Sequence, residues 1–196
     1  MNLIFTTDGI VIKRTNYSET DKILTIYSKT NGKLIALAKG IRKINSKKAP
    51  HLELFNNIRV SIISGKFLDI ITEARTIDFF RLIRVQLERT AYAYRIVELI
   101  DRLCPQNHVN KGIYELLISV LRSINLENIN NLERIVDEYS INLLWELGFL
   151  PRGNYLSGDQ MTRFIENIIE RKLKSDKLLT KLASYNKKEK LYGFDG

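Results

Sequence analysis

One stretch of the chain concentrates side chains that can bind a polyanion. Residues 29–48 contain no acidic residue and seven basic ones: Lys29, Lys33, Lys39, Arg42, Lys43, Lys47 and Lys48. Because neighbouring cations repel one another, such a run is most useful where it faces phosphate groups. The other interpretation is a loop exposed to solvent, and the residue types alone leave both open.

The cysteine and histidine residues do not suggest chemistry. Cys104 is the single cysteine, so these residues cannot form an intramolecular disulfide, and it ends an apolar helical pattern that predicts a buried hydrophobic residue. Neither His51 nor His108 belongs to a pair with metal-ligand spacing. We therefore expect no metal and no nucleophilic cysteine.

The carboxylates also lack catalytic spacing. Glu19 and Asp21 flank a strand and are interpreted as turn residues, whereas Glu166 and Glu170 fit a solvated helix face. Lys66 follows a glycine but lacks the earlier glycine of a phosphate-binding loop. We expect no enzyme activity, no cofactor and no nucleotide requirement.

The overall charge favours an anionic partner. Among 196 residues, Lys plus Arg number 31 and Asp plus Glu number 22, which makes the net charge +9. Nucleic acid fits this balance better than a membrane surface does. The first residues do not resemble a leader peptide, and no segment approaches the roughly 18 apolar residues that span a bilayer. We therefore expect a cytoplasmic protein without membrane contact.

The first part of the chain predicts a small β-barrel. Two hairpin turns, at residues 30–32 and 64–66, separate runs rich in β-branched and aromatic residues. The predicted strands cover residues 9–15, 22–28, 33–39, 58–63 and 67–74. Five short antiparallel strands, with a longer excursion between the third and the fourth, are typical of an OB-fold, and a small SH3-like barrel is the alternative.

The position of the basic run within the predicted barrel favours binding of nucleic acid. It covers the end of the third strand and the excursion after it, and OB-folds bind oligonucleotides through one face and its flanking loops. We expect contacts with phosphates and little sequence preference. Tyr17, in a polar turn, is the best candidate for base stacking, whereas Tyr27 and Phe67 alternate with apolar residues and are predicted to lie in the core.

The second part of the chain predicts a helical bundle. From about Arg84 the apolar residues recur every three or four positions, which predicts helices over residues 85–103, 113–124 and 132–147. Gly148 fits a helix C-cap and Ser157 fits the capping box of a further helix. The prediction is an α+β fold: an OB-fold barrel at 1–80, an α-helical domain at 81–184 and a flexible tail at 185–196.

Several phrases carry a family resemblance. They are Gly-Ile-Val-Ile-Lys at 9–13, Tyr-Ser-Glu-Thr-Asp-Lys-Ile at 17–23, Asn-Gly-Lys-Leu-Ile-Ala at 31–36, Ala-Lys-Gly-Ile-Arg-Lys at 38–43, and two further segments at 72–74 and 91–103. In this order they resemble the RecO family of bacterial recombination mediators, over roughly residues 4–150.

The resemblance implies a DNA-binding function and a set of partners. RecO proteins join an N-terminal OB-fold to a helical domain, bind single- and double-stranded DNA, and anneal complementary strands. They contact the acidic C-terminal tail of single-stranded DNA-binding protein, and with RecR they help RecA load onto coated gaps. The competing classes are an OB-fold RNA-binding or ribosome-associated module and a protein-interaction adaptor.

The resemblance also directs attention to particular residues. The family's basic OB segment matches the region that contains Lys39, Arg42, Lys43, Lys47 and Lys48, to which we assign phosphate contacts. Lys13 and Arg14 are second choices. A site for the acidic tail is expected on the helical domain, where the positive charge comes from Arg84, Arg89, Arg95 and Arg102.

The sequence departs from the family at one place. Many RecO proteins carry a four-cysteine zinc module after a helix end of the type seen here as Leu-Gly-Phe-Leu-Pro at 147–151. The residues that follow, 152–157, include no cysteine. We therefore expect no zinc, and partner contacts that this module makes in the family are not assigned to this chain.

Overall fold

The computed structural model describes residues 4–129 and 131–192, with the side chains of 186–192 left out of the description. Its N-terminal part contains five strands: β1 (Ile4–Asn16), β2 (Lys22–Ser28), β3 (Gly32–Ala38), β4 (Asn57–Ile63) and β5 (Asp69–Asp78). They close into a barrel in the order β1-β2-β3-β5-β4. All neighbours are antiparallel except β3 and β5, which is the strand order of an OB-fold, and this confirms the predicted fold class.

The first strand is longer than predicted because it pairs with two neighbours. Its first half pairs with β4, Ile4 lying opposite Ile63, and its second half pairs with β2, Asn16 lying opposite Lys22. The register with β2 shifts between Val11 and Lys13, so a bulge bends the strand around the barrel. The first half of β1 contains several polar residues, so the sequence pattern did not predict that these residues belong to the strand.

The fifth strand begins and ends later than predicted. It starts at Asp69, so Phe67 lies in the β4–β5 turn, where its side chain is 90% exposed. The prediction that Phe67 belongs to the core is therefore wrong. Tyr27, predicted to be buried on the same argument, is only 1% exposed. Alternation with apolar neighbours predicts a buried face only for residues inside a strand, and Phe67 precedes β5.

Six helices follow the barrel among the described residues. They are α1 (Arg81–Val85), α2 (Leu87–Leu103), α3 (Lys111–Ile124), α4 (Leu132–Glu146), α5 (Gly158–Ile169) and α6 (Lys174–Tyr192). Gln86 adopts an extended conformation, with φ −116 and ψ 114, so α2 begins two residues later than the helix predicted at 85–103, and the short helix α1 before it was not predicted. Within the described residues, no helix combines the length and apolar composition needed to cross a bilayer.

The helix ends confirm one prediction and correct another. Gly148 has φ 74, and the amide of Phe149 after it donates to the carbonyl of Leu144, which is the predicted glycine C-cap. Ser157 precedes α5, but its side chain makes no capping hydrogen bond, so the predicted capping box is wrong. A distant carboxylate replaces it, since the amide of Gly158 donates to Oδ2 of Asp137 at 3.2 Å.

Two hydrophobic cores hold the chain together. One fills the barrel and includes Leu24, Ile26 and Val60. The other belongs to the helices, but it also contains residues from strands of the barrel, from the excursion before β4 and from the chain after β5, namely Ile10, Ile12, Tyr27, Phe55 and Phe80. Because these side chains pack directly against helical residues, the barrel and the helices share one apolar interface.

The C-terminal end continues as α6 up to Tyr192, whereas 193–196 lie outside the described residues. The flexible tail at 185–196, like the boundary at residue 80, remains a prediction.

Candidate nucleic-acid interface

The basic run is divided between two ends of the barrel. Lys29 follows β2 and Lys39 follows β3, and the seven residues of β3, at about 3.3 Å each, hold the two ends roughly 20 Å apart. Lys33 is not at a solvated turn, because it is 8% exposed and its Nζ donates to the carbonyl of Asp101 at 2.6 Å. Lys33 therefore joins the barrel to α2, and only residues 39–48 form a basic segment.

That segment is fastened to the β1–β2 turn. The amide of Gly40 donates to Oδ1 of Asp21 at 2.8 Å, and the amide of Arg42 donates to the carbonyl of Thr20 at 2.9 Å. Nη1 of Arg42 reaches the carbonyl of Ser18 at 3.0 Å. Residues 17–21 and 39–48 thus form one continuous surface, which we call the loop surface.

Asp21 is the anchor of the loop surface. The amide of Gly40 lowers the pKa of its carboxyl below the ordinary value, with further help from the hydroxyl of Thr20. Gly40 has φ 65, a conformation that suits glycine. Asp21 was interpreted from the sequence as a turn residue; its tie to Gly40, nineteen positions away, was missed. The signal was present as an aspartate and a glycine at adjoining ends of paired strands.

Most of the assigned cations on the loop surface face solvent. Lys39, Arg42, Lys43 and Lys47 are exposed, and within the described part of the chain none of them forms an ion pair. Tyr17 is 59% exposed on the same surface, as a stacking residue requires.

Lys48 differs from the other basic residues of the segment. Its Nζ donates to the carbonyl of Ile71 at 2.9 Å, and it is half-buried against the barrel. Burial lowers the pKa of its ammonium group. Lys48 therefore closes the excursion onto β5 and does not present its charge as the others do.

The two second choices lie outside the loop surface, and each has an acidic partner. Nζ of Lys13 lies 2.8 Å from Oδ2 of Asp101, and Arg14 forms an ion pair with Glu53. Both pairs lie where the barrel meets α2, so they contribute to the junction between the two parts of the chain.

The outer face of β2 and β3, which binds oligonucleotides in many OB-folds, is partly covered here. Tyr27 packs into the helical core, and the carbonyl of Lys33 accepts a hydrogen bond from the amide of Asn107. A Cβ atom on Gly32 would approach the carbonyl oxygen of His108 to 2.1 Å, so the hairpin lies directly against the turn after α2. The loop surface is left accessible beside this covered face.

Three of the four arginines considered for an acidic tail have structural roles. Arg89 is 5% exposed and donates to the carbonyls of Ile124, Leu126 and Glu127. Arg95 is 6% exposed and donates to the hydroxyl of Thr162, and Arg84 donates to the carbonyls of Leu54 and Phe79. Arg102 is partly exposed at the barrel–helix junction.

The cysteine and His51, which were considered for chemistry, are buried or hydrogen-bonded within the fold. Cys104 is buried, and burial raises the pKa of its thiol to about 11. Nδ1 of His51 lies 3.0 Å from the hydroxyl of Thr76. Among the side chains that the structure describes, at residues 4–129 and 131–185, no three His, Cys, Asp or Glu come together as a metal site would require.

The fold and this surface define a class of protein: an OB-fold with exposed cations on its loops, joined through a shared core to a helical bundle. Residues 1–80 match the family described as "Recombination protein O N terminal", and residues 84–158 match "Recombination protein O C terminal". The chain belongs to the RecO family.

Individual relatives agree with this assignment. A protein of Roseiflexus sp. named "DNA repair protein RecO" is 33% identical over 149 residues, or 76% of this chain and 52% of that protein. Relatives of the same name from Dehalococcoides mccartyi and Oceanobacillus iheyensis are 35% identical over 147 residues and 36% identical over 144 residues. These matches cover 75% and 74% of this chain, and 57% and 55% of the relatives, so the chain spans about half the length of the curated relatives it matches.

Proposed function

We propose that this chain is a non-enzymatic DNA-binding protein of recombinational repair, and that the loop surface is its contact with the DNA backbone. The observation that carries the proposal is the set of four exposed cations, Lys39, Arg42, Lys43 and Lys47, on a surface fastened by Asp21. Because these cations have no acidic partners, no ion pair within the chain has to be broken when they bind phosphate. Their full charge is therefore available to DNA.

The finer role we propose is that of a mediator. Its activities are the annealing of complementary single strands and, together with RecR, assistance to RecA loading on gaps coated by single-stranded DNA-binding protein. Membership of the RecO family and the names of the relatives support this role. The acidic tail of the coating protein is proposed to bind the helical domain, where no residue is assigned to it.

Annealing by such a surface has a simple physical basis. Two strands repel each other through their phosphates, and a protein that neutralises part of that charge lowers the cost of bringing them together. Contacts with phosphates carry no sequence information, so any complementary pair is a substrate. No bond is made or broken, and no nucleotide is needed.

The salt dependence of single-stranded DNA binding tests the proposal. Four neutralised phosphates predict a slope of log affinity against log salt of roughly −2.8. The double variant Lys43→Glu/Lys47→Glu should bind weakly, with a slope nearer −1.4, and should anneal slowly. Arg122→Glu/Arg163→Glu, at exposed positions on α3 and α5 outside the loop surface, lowers the net charge by the same amount and is the matched control. Annealing by the double variant at the wild-type rate would exclude the loop surface as the DNA site.

The alternatives predict other outcomes of simple binding experiments. A preference for structured RNA over single-stranded DNA would favour an RNA-binding module. Binding of an acidic peptide with an apolar C-terminal end, but of no nucleic acid, would favour a protein-interaction adaptor. Binding of both DNA and this peptide is the result expected of the mediator.

A further inference from the structure

A cleft separates the barrel from the helices on the side that carries Lys13 and Arg14. It has a volume of about 690 Å³ and lies between β1 and β2 on one side and α2 and the start of α6 on the other. Six basic and three acidic residues line it, so the cleft is positively charged. The volume lies within the usual range for ligand sites, and no function described above uses the cleft.

Some of the charge in the cleft is neutralised within the chain. Asp101 pairs with Lys13, Glu53 pairs with Arg14, and the carboxylate of Glu98 accepts hydrogen bonds from the amides of Lys174 and Ser175. The start of α6 therefore already holds a carboxylate, as expected for a helix N-terminus.

Other polar groups of the cleft have no partner. Lys22, Arg102 and Lys174 form no ion pair within the described residues, although all three line the cleft. Two buried donors on its walls, Nε of Arg14 and the hydroxyl of Ser175, have no hydrogen-bond acceptor there. Ser175 is only 4% exposed, so bulk water does not reach its hydroxyl to act as the acceptor.

Lys22 connects the cleft with the loop surface. It is the first residue of β2, directly after Asp21, and it lies opposite Ala38, the residue before Lys39. Burial lowers the pKa of its ammonium group, and the nearby charges of Arg14, in the cleft, and Arg42, on the loop surface, act in the same direction. Lys22 thus lies between Arg42 on the loop surface and Arg14 in the cleft.

An aromatic residue lies in the same cleft. Tyr94 on α2 is 43% exposed, and its ring packs edge-on against Phe55, with 5.2 Å between the ring centroids and 79° between their planes. A ring held in this way by one neighbour keeps part of its surface open to a further planar group. Basic residues along a groove with an exposed ring are the features of single-strand binding sites.

We propose that the DNA strand bound at the loop surface continues past Lys22 into this cleft, where Arg102 and Lys174 contact its phosphates and a base packs on Tyr94. The inference rests on the proposed function and extends it by one segment of strand. A strand fits better than an acidic peptide because the exposed cations begin at the loop surface, outside the cleft, and a strand bound there can reach the cleft past Lys22.

Oligonucleotides of different lengths distinguish binding at the loop surface from binding in the cleft. An oligonucleotide of about 6 nucleotides covers little more than one barrel site, whereas one of about 20 extends beyond it. The variant Arg102→Gln/Lys174→Gln should bind the short oligonucleotide as the wild type does, and it should bind the long one with a salt slope reduced by roughly 1.4. The Lys43→Glu/Lys47→Glu variant should weaken binding of both. Arg122→Glu, which also lowers the net charge by two, is the matched control for charge.

Negative results for the two variants have different consequences. Wild-type affinity and salt slope of the cleft variant on the long oligonucleotide would overturn the inference alone. Unchanged binding of the short oligonucleotide by the loop variant would overturn the proposed function.

A fluorescent reporter gives an independent test of occupancy. Trp145 is the single tryptophan, so Trp145→Phe combined with Tyr94→Trp places the only indole in the cleft. Long oligonucleotides should quench its fluorescence and short ones should not. Absence of quenching at saturating long oligonucleotide would overturn the inference, and so would quenching by an acidic peptide but not by DNA, which would assign the cleft to a protein partner.

Discussion

The loop surface and the helical domain both contain many basic residues, yet they use them in opposite ways. On the loops, Lys39, Lys43 and Lys47 face solvent, whereas Arg89 and Arg95 in the helices are buried and donate to neutral oxygen atoms of the chain. Charge counted along the sequence therefore does not identify a binding surface. What identifies it is whether the charged atoms already have partners within the fold.

The largest expected effect is the loss of a structural arginine. Arg89→Met keeps the apolar stem but leaves the carbonyls of Ile124, Leu126 and Glu127 without their donor, so we expect the free energy of unfolding to fall by about 3 kcal/mol. Urea unfolding measures this loss. Arg122→Met, exposed on the neighbouring helix, should stay within about 0.5 kcal/mol of the wild type. Equal effects of the two changes would remove the distinction between buried and exposed cations.

Loosening the loop surface should have the next largest effect, and it should act on DNA binding. Asp21→Asn replaces a charged acceptor of the Gly40 amide by a neutral one, so the tie between residues 17–21 and 39–48 weakens. Although the change adds positive charge, we expect single-stranded DNA to bind several-fold more weakly at low salt. Tighter binding, as charge alone predicts, would show that the fastening is irrelevant. Fluorescence anisotropy with a labelled oligonucleotide measures the effect.

Two adjacent lysines offer a narrower test of the same comparison. Lys47→Met removes an exposed charge and should reduce the salt slope of DNA binding by roughly 0.7. Lys48→Met removes the donor to Ile71 and should leave the slope unchanged while lowering the stability of the fold. Salt titrations and urea unfolding on both variants decide the matter. A reversed pattern would move the DNA contact to the barrel side of the excursion.

The pH dependence of Asp21 provides a smaller effect of known sign. Because its folded-state pKa is lowered below 3.8, its hydrogen bond to Gly40 contributes stability that is present above the unfolded-state pKa. This contribution should be lost as the pH falls through the folded-state pKa. Carbon-detected NMR titration of the carboxyl group should give a midpoint below 3.8. A midpoint at or above that value would contradict the assignment of Asp21 as an anchor.

The smallest effect is expected at Phe67. Its ring is 90% exposed in the β4–β5 turn, so Phe67→Ser should change the free energy of unfolding by no more than about 0.5 kcal/mol. Thermal unfolding measures this change. A loss of several kcal/mol would return Phe67 to the core, where the sequence pattern predicted it to lie.

Local patterns explain which parts of the fold were predictable. The strand runs, the hairpin at residues 30–32 and the cap at Gly148 depend on residues a few positions apart, so periodicity and turn chemistry identified them. The beginning of β1 was not predicted because its pairing with β4 overrides local preference. The helix α1 was not predicted because five residues are too few to show an apolar period. The sequence located the basic segment of the candidate site, but it did not show which basic side chains of that segment are free to bind phosphate.

The sequence by itself determined the kind of protein this is: its phrases placed it in the RecO family, and its periodicities separated a barrel from a helical bundle. The tertiary structure alone decided which cations remain available. Lys33 donates to the carbonyl of Asp101, sixty-eight positions away, and Arg89 to that of Leu126, thirty-seven positions away. The ammonium groups of Lys39, Lys43 and Lys47 have no such partner among the described residues. The reason is physical: secondary structure is encoded over a few neighbouring residues, but the partner of a charge is set by what folding brings beside it.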